Sequence, residues 1–146
     1  MKLKIGLLAE KSEVVSTNNT AISYGSGSIA VYATPAMIGL MEGAAIKCVD
    51  DKLESGLGTV GISLNVRHLA ATPIGMSVTA TAELIEIVER KLVFKVTAFD
   101  NNEKIGEGIH ERFIIKIDKF LTKCNNKKYS CQNKTTTKTC MNTNLF

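Results

Sequence analysis

From residue 57 onward apolar and polar positions alternate with a period of two. GTVGISLNVRHLA, MSVTATAELIEIVE, KLVFKVTAFD and KIGEGIHERFIIKI are rich in Val, Ile, Thr and Phe, and each predicts a β-strand. Their joints, ATPIG at 71–75, ERK at 89–91 and DNNEK at 100–104, are short and turn-like. Parallel neighbours need a long crossover, so these joints predict antiparallel pairing. Residues 3–16 mix apolar and charged positions in a way compatible with an opening strand, though the alternation is imperfect. The following STNNTAISYGSGSIA is dense in Ser, Asn and Gly and predicts a loop with several positions open to positive φ.

Between that loop and the strands lies a segment of different period. Thr34 followed by Pro35 reads as a helix N-cap and first-turn residue: the hydroxyl can accept an orphan amide, and Pro loses no hydrogen bond there. The run AMIGLMEGAAIKCV is apolar nearly all round, which predicts a helix buried on most of its surface and ending near Asp50. Gly39 and Gly43, four apart on one face, suggest a tight approach of the helix to a sheet. One apolar helix wrapped by an antiparallel sheet buries both partners, and the element order predicts an α+β hotdog fold with a five-stranded sheet.

Charge changes the picture in one respect. The 146 residues carry a formal net charge of +4. Residues 1–118 hold 12 Lys and Arg against 14 Asp and Glu, a net of −2, whereas residues 119–146 hold 6 Lys and no acid. The basic balance thus belongs to the end of the chain. The body lacks the clustered cations of a nucleic-acid footprint, and no nucleic-acid partner is expected. The expected organisation is a domain over residues 1–120 and a Lys/Asn/Thr-rich, disordered tail over 121–146, whose composition cannot offset its ordering entropy.

Cysteine usage and apolar runs bound the compartment. Cys48 falls in the helical segment, while Cys124, Cys131 and Cys140 fall in the tail with no CxxC clip, so free thiols are expected and no metal site. The N-terminal apolar run IGLLA is too short for a signal sequence, and no stretch is long enough to span a bilayer. A cytoplasmic protein is the expectation.

Few residues stand out as chemical candidates. Glu42 is an acid amid apolar helix positions, where it is either paired, hydrogen-bonded or neutralised, or reaches solvent. His68 closes a strand just before a turn, and His110 sits in GIHERF beside Glu111 and Arg112; each is read either as a structural residue or as a proton carrier. The GSGS stretch fits neither a phosphate loop nor a GxSxG nucleophile elbow.

ATPAMIGLMEGAA, VGISLNVRHLAATPIG and FDNNEKIGEGIHERFII, in this order and at these separations, resemble the hotdog thioesterases related to fluoroacetyl-CoA thioesterase over residues 3–120. The resemblance implies hydrolysis of a short acyl-CoA thioester, with catalytic roles for Thr34, Glu42 and His68, a site-shaping role for Gly61, and no cofactor beyond the coenzyme A of the substrate. It also implies a homodimer or higher homo-oligomer with composite sites. Arg67 and Arg112 are candidates to meet coenzyme A phosphates, or else are solvated strand residues. The family is expected to carry bulky Phe in a lid before the helix; YGSGSIAVY stands there instead, implying a general or different small-acyl preference. The rival readings are a non-catalytic acyl-CoA or apolar-ligand binder of the same fold and a dehydratase of similar fold, which is expected to carry a His near the loop before the helix, where this chain has none; the spacing of YGSGS speaks against a serine hydrolase.

Overall fold

The computed structural model describes residues 2–130. Five strands, β1 (Leu8–Val14), β2 (Leu57–His68), β3 (Ser77–Val88), β4 (Lys91–Phe99) and β5 (Lys104–Lys116), form one antiparallel sheet in the order β1-β3-β4-β5-β2. Helix α1 (Ala21–Tyr24) lies in the long loop, α2 (Thr34–Val49) follows it, and α3 (Ile117–Ser130) follows β5. A 3-10 turn, Asp50–Lys52, continues α2 toward β2.

Period and packing agree along α2. Ala36, Met37, Leu40, Met41, Ala44, Ala45, Cys48 and Val49 are buried, and they meet the alternate positions Val78, Ala80, Ala82 and Leu84 of β3 and Leu92, Phe94, Val96 and Ala98 of β4. The close approach comes from alanines on the sheet. Gly39 and Gly43 do not supply it: Gly39 faces open space, and a Cβ on Gly43 would meet the Lys11 side chain.

The loop joints follow local chemistry. Asp100 Oδ1 accepts from the amides of Asn102 and Glu103, at 2.8 and 2.9 Å, and so closes the β4–β5 turn. Thr20 caps α1 through its Oγ1, which accepts from the Ser23 amide, and Gly25 ends that helix at φ 67°. This short helix falls inside the segment expected to be loop.

The C-terminal expectation needs correcting. Residues 121–130, assigned to a disordered tail, are helical as the continuation of α3. The helix is anchored at its start, where the Ile117 amide bonds to the Gly56 carbonyl at 3.0 Å and Ile117 packs near Gly58. Residues 131–146, with Cys131 and Cys140, lie outside the described residues. Among the described residues Cys48 and Cys124 are free thiols, and no helix is long and apolar enough to cross a membrane.

Strand β2 is an edge of the sheet, paired only with β5, and a one-residue irregularity between Gly61 and Ser63 interrupts its register. Its approach to β5 depends on Gly108, where a Cβ would collide with the Asn65 carbonyl and lie 2.6 Å from Val66 Cα. Both obstacles are backbone. Gly108→Ala is expected to lower unfolding free energy by about 1–3 kcal/mol, the range for overpacking, read as a lower urea midpoint; an unchanged midpoint would show that β2 can move off β5 without cost.

Candidate active site

The first group of candidates meets where α2 begins and β2 ends. Thr34 occupies the first helical position, with Ala33 as the N-cap and Pro35 next to it. Its hydroxyl caps no amide; Oγ1 lies 2.7 Å from His68 Nδ1. The expected N-cap role is thus replaced by a side-chain partner 34 residues away. His68 is held there because its Cα pairs with Gly106 and the following Leu69 amide bonds to the Ile105 carbonyl at 2.7 Å.

His68 and Thr34 line a cleft of about 400 Å³ with Ala21, Ser26, Val31 and Tyr32 on one side and Leu69, Ala70 and Ala71 on the other. Burial pushes the His68 imidazole below its ordinary pKa, against the opposing influence of the Ala70 backbone. A neutral ring is therefore present at pH 7. Its Nε2 is buried and has no hydrogen-bond partner within the described residues. Buried ring nitrogens are ordinarily satisfied, so this one suits a group that arrives from outside the chain. Tyr32 is itself buried, and its hydroxyl donates to Glu13 Oε1, tying the cleft wall to β1.

The second group surrounds Glu42, one face of α2 further along. Arg112, only 4% exposed, places Nη1 3.5 Å from Glu42 Oε2. The same guanidinium donates through Nε to Thr59 Oγ1 at 2.8 Å, through Nη2 to the Thr59 carbonyl at 2.9 Å, and through Nη1 toward His110 Nε2 at 3.2 Å. His110 Nδ1 lies 2.9 Å from the Ser63 carbonyl. A carbonyl only accepts and a guanidinium only donates, so His110 is the neutral Nδ1–H tautomer with Nε2 as acceptor. Burial first, and the Arg112 charge in addition, hold its pKa below the ordinary value.

Gly61 completes this group. A Cβ there would stand 2.8 Å from Glu42 Oε2 and 3.3 Å from His110 Cε1, so only Gly leaves the carboxylate where it is. Arg112 departs from both expectations for it: it is neither solvated nor open to a phosphate, because inward-facing β5 positions bury it. Arg67, next to His68 along β2, is exposed on the other face of the sheet among Asn65, Lys95, Glu107 and Ile109, and reaches neither group.

Thr34 and His68 are therefore brought together, as are Glu42, Gly61 and Arg112, but the two groups stay apart. Eight residues of helix separate Thr34 from Glu42 by about 12 Å. His110 and Thr59 are functional neighbours that the sequence reading did not connect with Glu42. The G-x-H-E-R spacing carried a signal for His110, since residues two apart on a strand share a face. Among the described residues no group of His, Cys, Asp or Glu could hold a metal ion.

The model of the fluoroacetyl-CoA-specific thioesterase family matches residues 15–118, which include both groups. The chain belongs to that family. It is 44% identical over 97 residues to the fluoroacetyl-CoA thioesterase of Streptantibioticus cattleyicolor, covering 66% of this chain and 70% of that one. A variant of the fluoroacetyl-CoA-specific thioesterase, solved in complex with fluoroacetate and CoA, superposes with a TM-score of 0.75 at 37% identity, over 81% of this chain and 99% of the other. A thioesterase superfamily member from Thermus thermophilus superposes with a TM-score of 0.83 at 27% identity, over 90% and 98% of the two chains. The hotdog architecture expected from the element order is thus the observed one.

The burial of the two histidines predicts a pH-dependent stability. Both His68 and His110 have folded pKa values lowered from 6.5, so the unfolded chain binds protons more readily. Stability from the neutral rings is fully present above about pH 6.5 and is lost as pH falls through and below it. The urea midpoint is expected to drop between pH 7.5 and 5.5, and to drop less in His110→Asn; a midpoint that is level or rises on acidification contradicts the neutral assignments.

Proposed function

We propose that the protein hydrolyses short acyl-CoA thioesters to the free acid and coenzyme A, as a homodimer in which each site takes residues from both copies. The observation that carries the reading is the Thr34–His68 hydrogen bond beside the start of α2, at a cleft large enough for a small acyl group. Membership of a thioesterase family supports the reaction class, and the relative solved with fluoroacetate and CoA supports the substrate class.

The chemistry follows from the two groups. The start of α2 presents backbone amides and the positive end of the helix dipole, suited to the oxyanion that forms as water adds to the thioester carbonyl. A base takes the proton of that water, the C–S bond breaks, and the departing thiolate receives a proton. Neutral His68 and the Glu42 carboxylate are the two groups fitted for this proton traffic. Glu42 could alternatively attack the carbonyl and expel the coenzyme A thiolate, which takes up a proton; water then opens the resulting anhydride to the free acid and the restored Glu42 carboxylate. Thr34 orients His68 and adds a hydroxyl at the carbonyl. No resident cofactor or metal is part of the proposal.

The second copy is proposed because of the separation along α2. Strand β2 offers a free edge of 12 residues, with Gly61, Ser63, Leu64, Asn65 and Arg67 exposed. Antiparallel pairing of two β2 edges about a twofold axis near residues 64 and 65 brings His68 of one copy beside Gly61 of the other. Glu42 of the partner subunit then joins Thr34 and His68. Arg67, near that axis, is proposed to meet coenzyme A phosphates. The small residues Gly25, Ser26, Gly27 and Ser28 before α2 leave the cleft without a Phe lid, which supports a general short-acyl preference. Free thiols at Cys48 and Cys124 agree with a reducing, cytoplasmic setting.

Glu42→Gln and His68→Ala are each expected to lower acetyl- or propionyl-CoA hydrolysis about 100-fold or more while the protein stays folded, the scale of a lost acid–base group. Thiol release from a panel of acyl-CoAs measures it. Parental rates in both folded variants overturn the residue assignment, and tight acyl-CoA binding without thiol release indicates a non-catalytic binder instead.

A further inference from the structure

We infer that His110 is a positioning residue whose neutral Nε2 aims the Arg112 guanidinium at Glu42. The inference rests on the proposed role of Glu42 and extends it to a group that touches no substrate.

The argument starts from what Arg112 needs. A guanidinium at 4% exposure presents three nitrogens in a fixed fork, and each nitrogen requires an acceptor within the protein. Thr59 supplies two acceptors, a hydroxyl and a carbonyl, and these fix the Nε and Nη2 side of the fork. The remaining amino group, Nη1, is shared between His110 Nε2 at 3.2 Å and Glu42 Oε2 at 3.5 Å. Glu42 keeps a side chain about one-third exposed, so its end is not fixed by burial. What faces it is fixed instead.

His110 is built to accept only from that direction. It is fully buried, the Ser63 carbonyl consumes its Nδ1–H, and the Phe94 ring lies 6.2 Å away at 29° on a neighbouring strand. The charged groups around it are Arg112 and Glu111 on its own strand and Glu42 on α2. Protonation of Nε2 would remove the acceptor and set two cations against each other. The Nη1 amino group would then lose one of its two partners, and the guanidinium would have no fixed aim at the carboxylate. Gly61 leaves room for both the Cε1 edge of this ring and the Glu42 oxygen, so His110 and Glu42 share one pocket.

Two substitutions separate positioning from packing. Asn places an amide near Nδ1 and keeps the bond to Ser63 while removing the acceptor for Arg112. Gln reaches the Nε2 position and offers Arg112 an oxygen. His110→Asn is expected to lower kcat about 10- to 100-fold, the scale of a modest misplacement, with KM within about threefold, and to shift the acidic limb of the kcat/KM profile. His110→Gln is expected to recover much of the kcat lost in His110→Asn. A merely structural His110 predicts the opposite order, or losses that follow the unfolding midpoint of each variant. Asn matching or exceeding Gln in kcat overturns the inference.

The parent protein supplies a readout independent of turnover. Nitrogen NMR of the imidazole at pH 7 is expected to show His110 protonated on Nδ1 and bare at Nε2. A protonated Nε2 overturns the inference even if neither variant folds. Should the parent release no thiol from any acyl-CoA, the hydrolase reading fails while the NMR result still decides the geometry.

Discussion

A cation that cannot reach water organises the interior end of this molecule. Arg112 is buried on β5, and removing its partners would leave an uncompensated charge, a loss far larger than any surface ion pair could offset. The surrounding residues are arranged by that requirement. Thr59, two residues along β2 from the Gly61 that pairs with Arg112, accepts two of its hydrogen bonds, His110 stays neutral, α2 presents a carboxylate at residue 42, and the bare Gly61 leaves that carboxylate its place. Burial pushes the Arg112 pKa down and Glu42 opposes this, so the carboxylate stabilises the charged form. This ion pair thereby links the helix, seated by its apolar face on β3 and β4, to the β2–β5 edge.

The other end of the same edge is held differently. His68 is kept neutral by burial, paired with a hydroxyl, and left with one unpartnered nitrogen beside an open cleft. The two ends thus differ in kind. The Arg112 end is charge-matched, with the guanidinium buried and the Glu42 carboxylate one-third exposed, whereas the His68 ring nitrogen has no partner among the described residues. A protein that keeps, among the described residues, a ring nitrogen without a partner at the end of β2 and a carboxylate on α2, about 12 Å along the helix from the Thr34 that pairs with that ring, has the parts of an acid–base site without their contact. The proposed second copy supplies that contact by turning the edge on itself.

Much of this fold was legible because its periods are clean. The four strands after residue 57 and the apolar helix from Thr34 stand at their expected places, since alternation and all-round apolarity each have one burial solution. The misses have local causes. Helix α1 is too short to show a period and hides in a loop-like composition. Residues 121–130 share the Lys- and Asn-rich composition of the residues after them, and that composition masks the helical spacing of four at Lys119, Lys123 and Lys127. Thr34 lost its N-cap role to a partner distant in sequence. Glu42, Gly61 and His68 could be named from the family resemblance, but the link from Arg112 through His110 was hidden, because strand spacing shows that two residues share a face and not what they bind.

The shared site can be tested directly by mixing two inactive homodimers, Glu42→Gln and His68→Ala, and allowing their subunits to exchange. A mixed dimer would join His68 of the first variant to Glu42 of the second at one of its two sites. With random exchange, half the dimers would be mixed, and acyl-CoA hydrolysis should return to about a quarter of the parental specific activity. No recovery after demonstrated exchange would mean that each chain works with its own Glu42 and His68, and the composite site would be wrong.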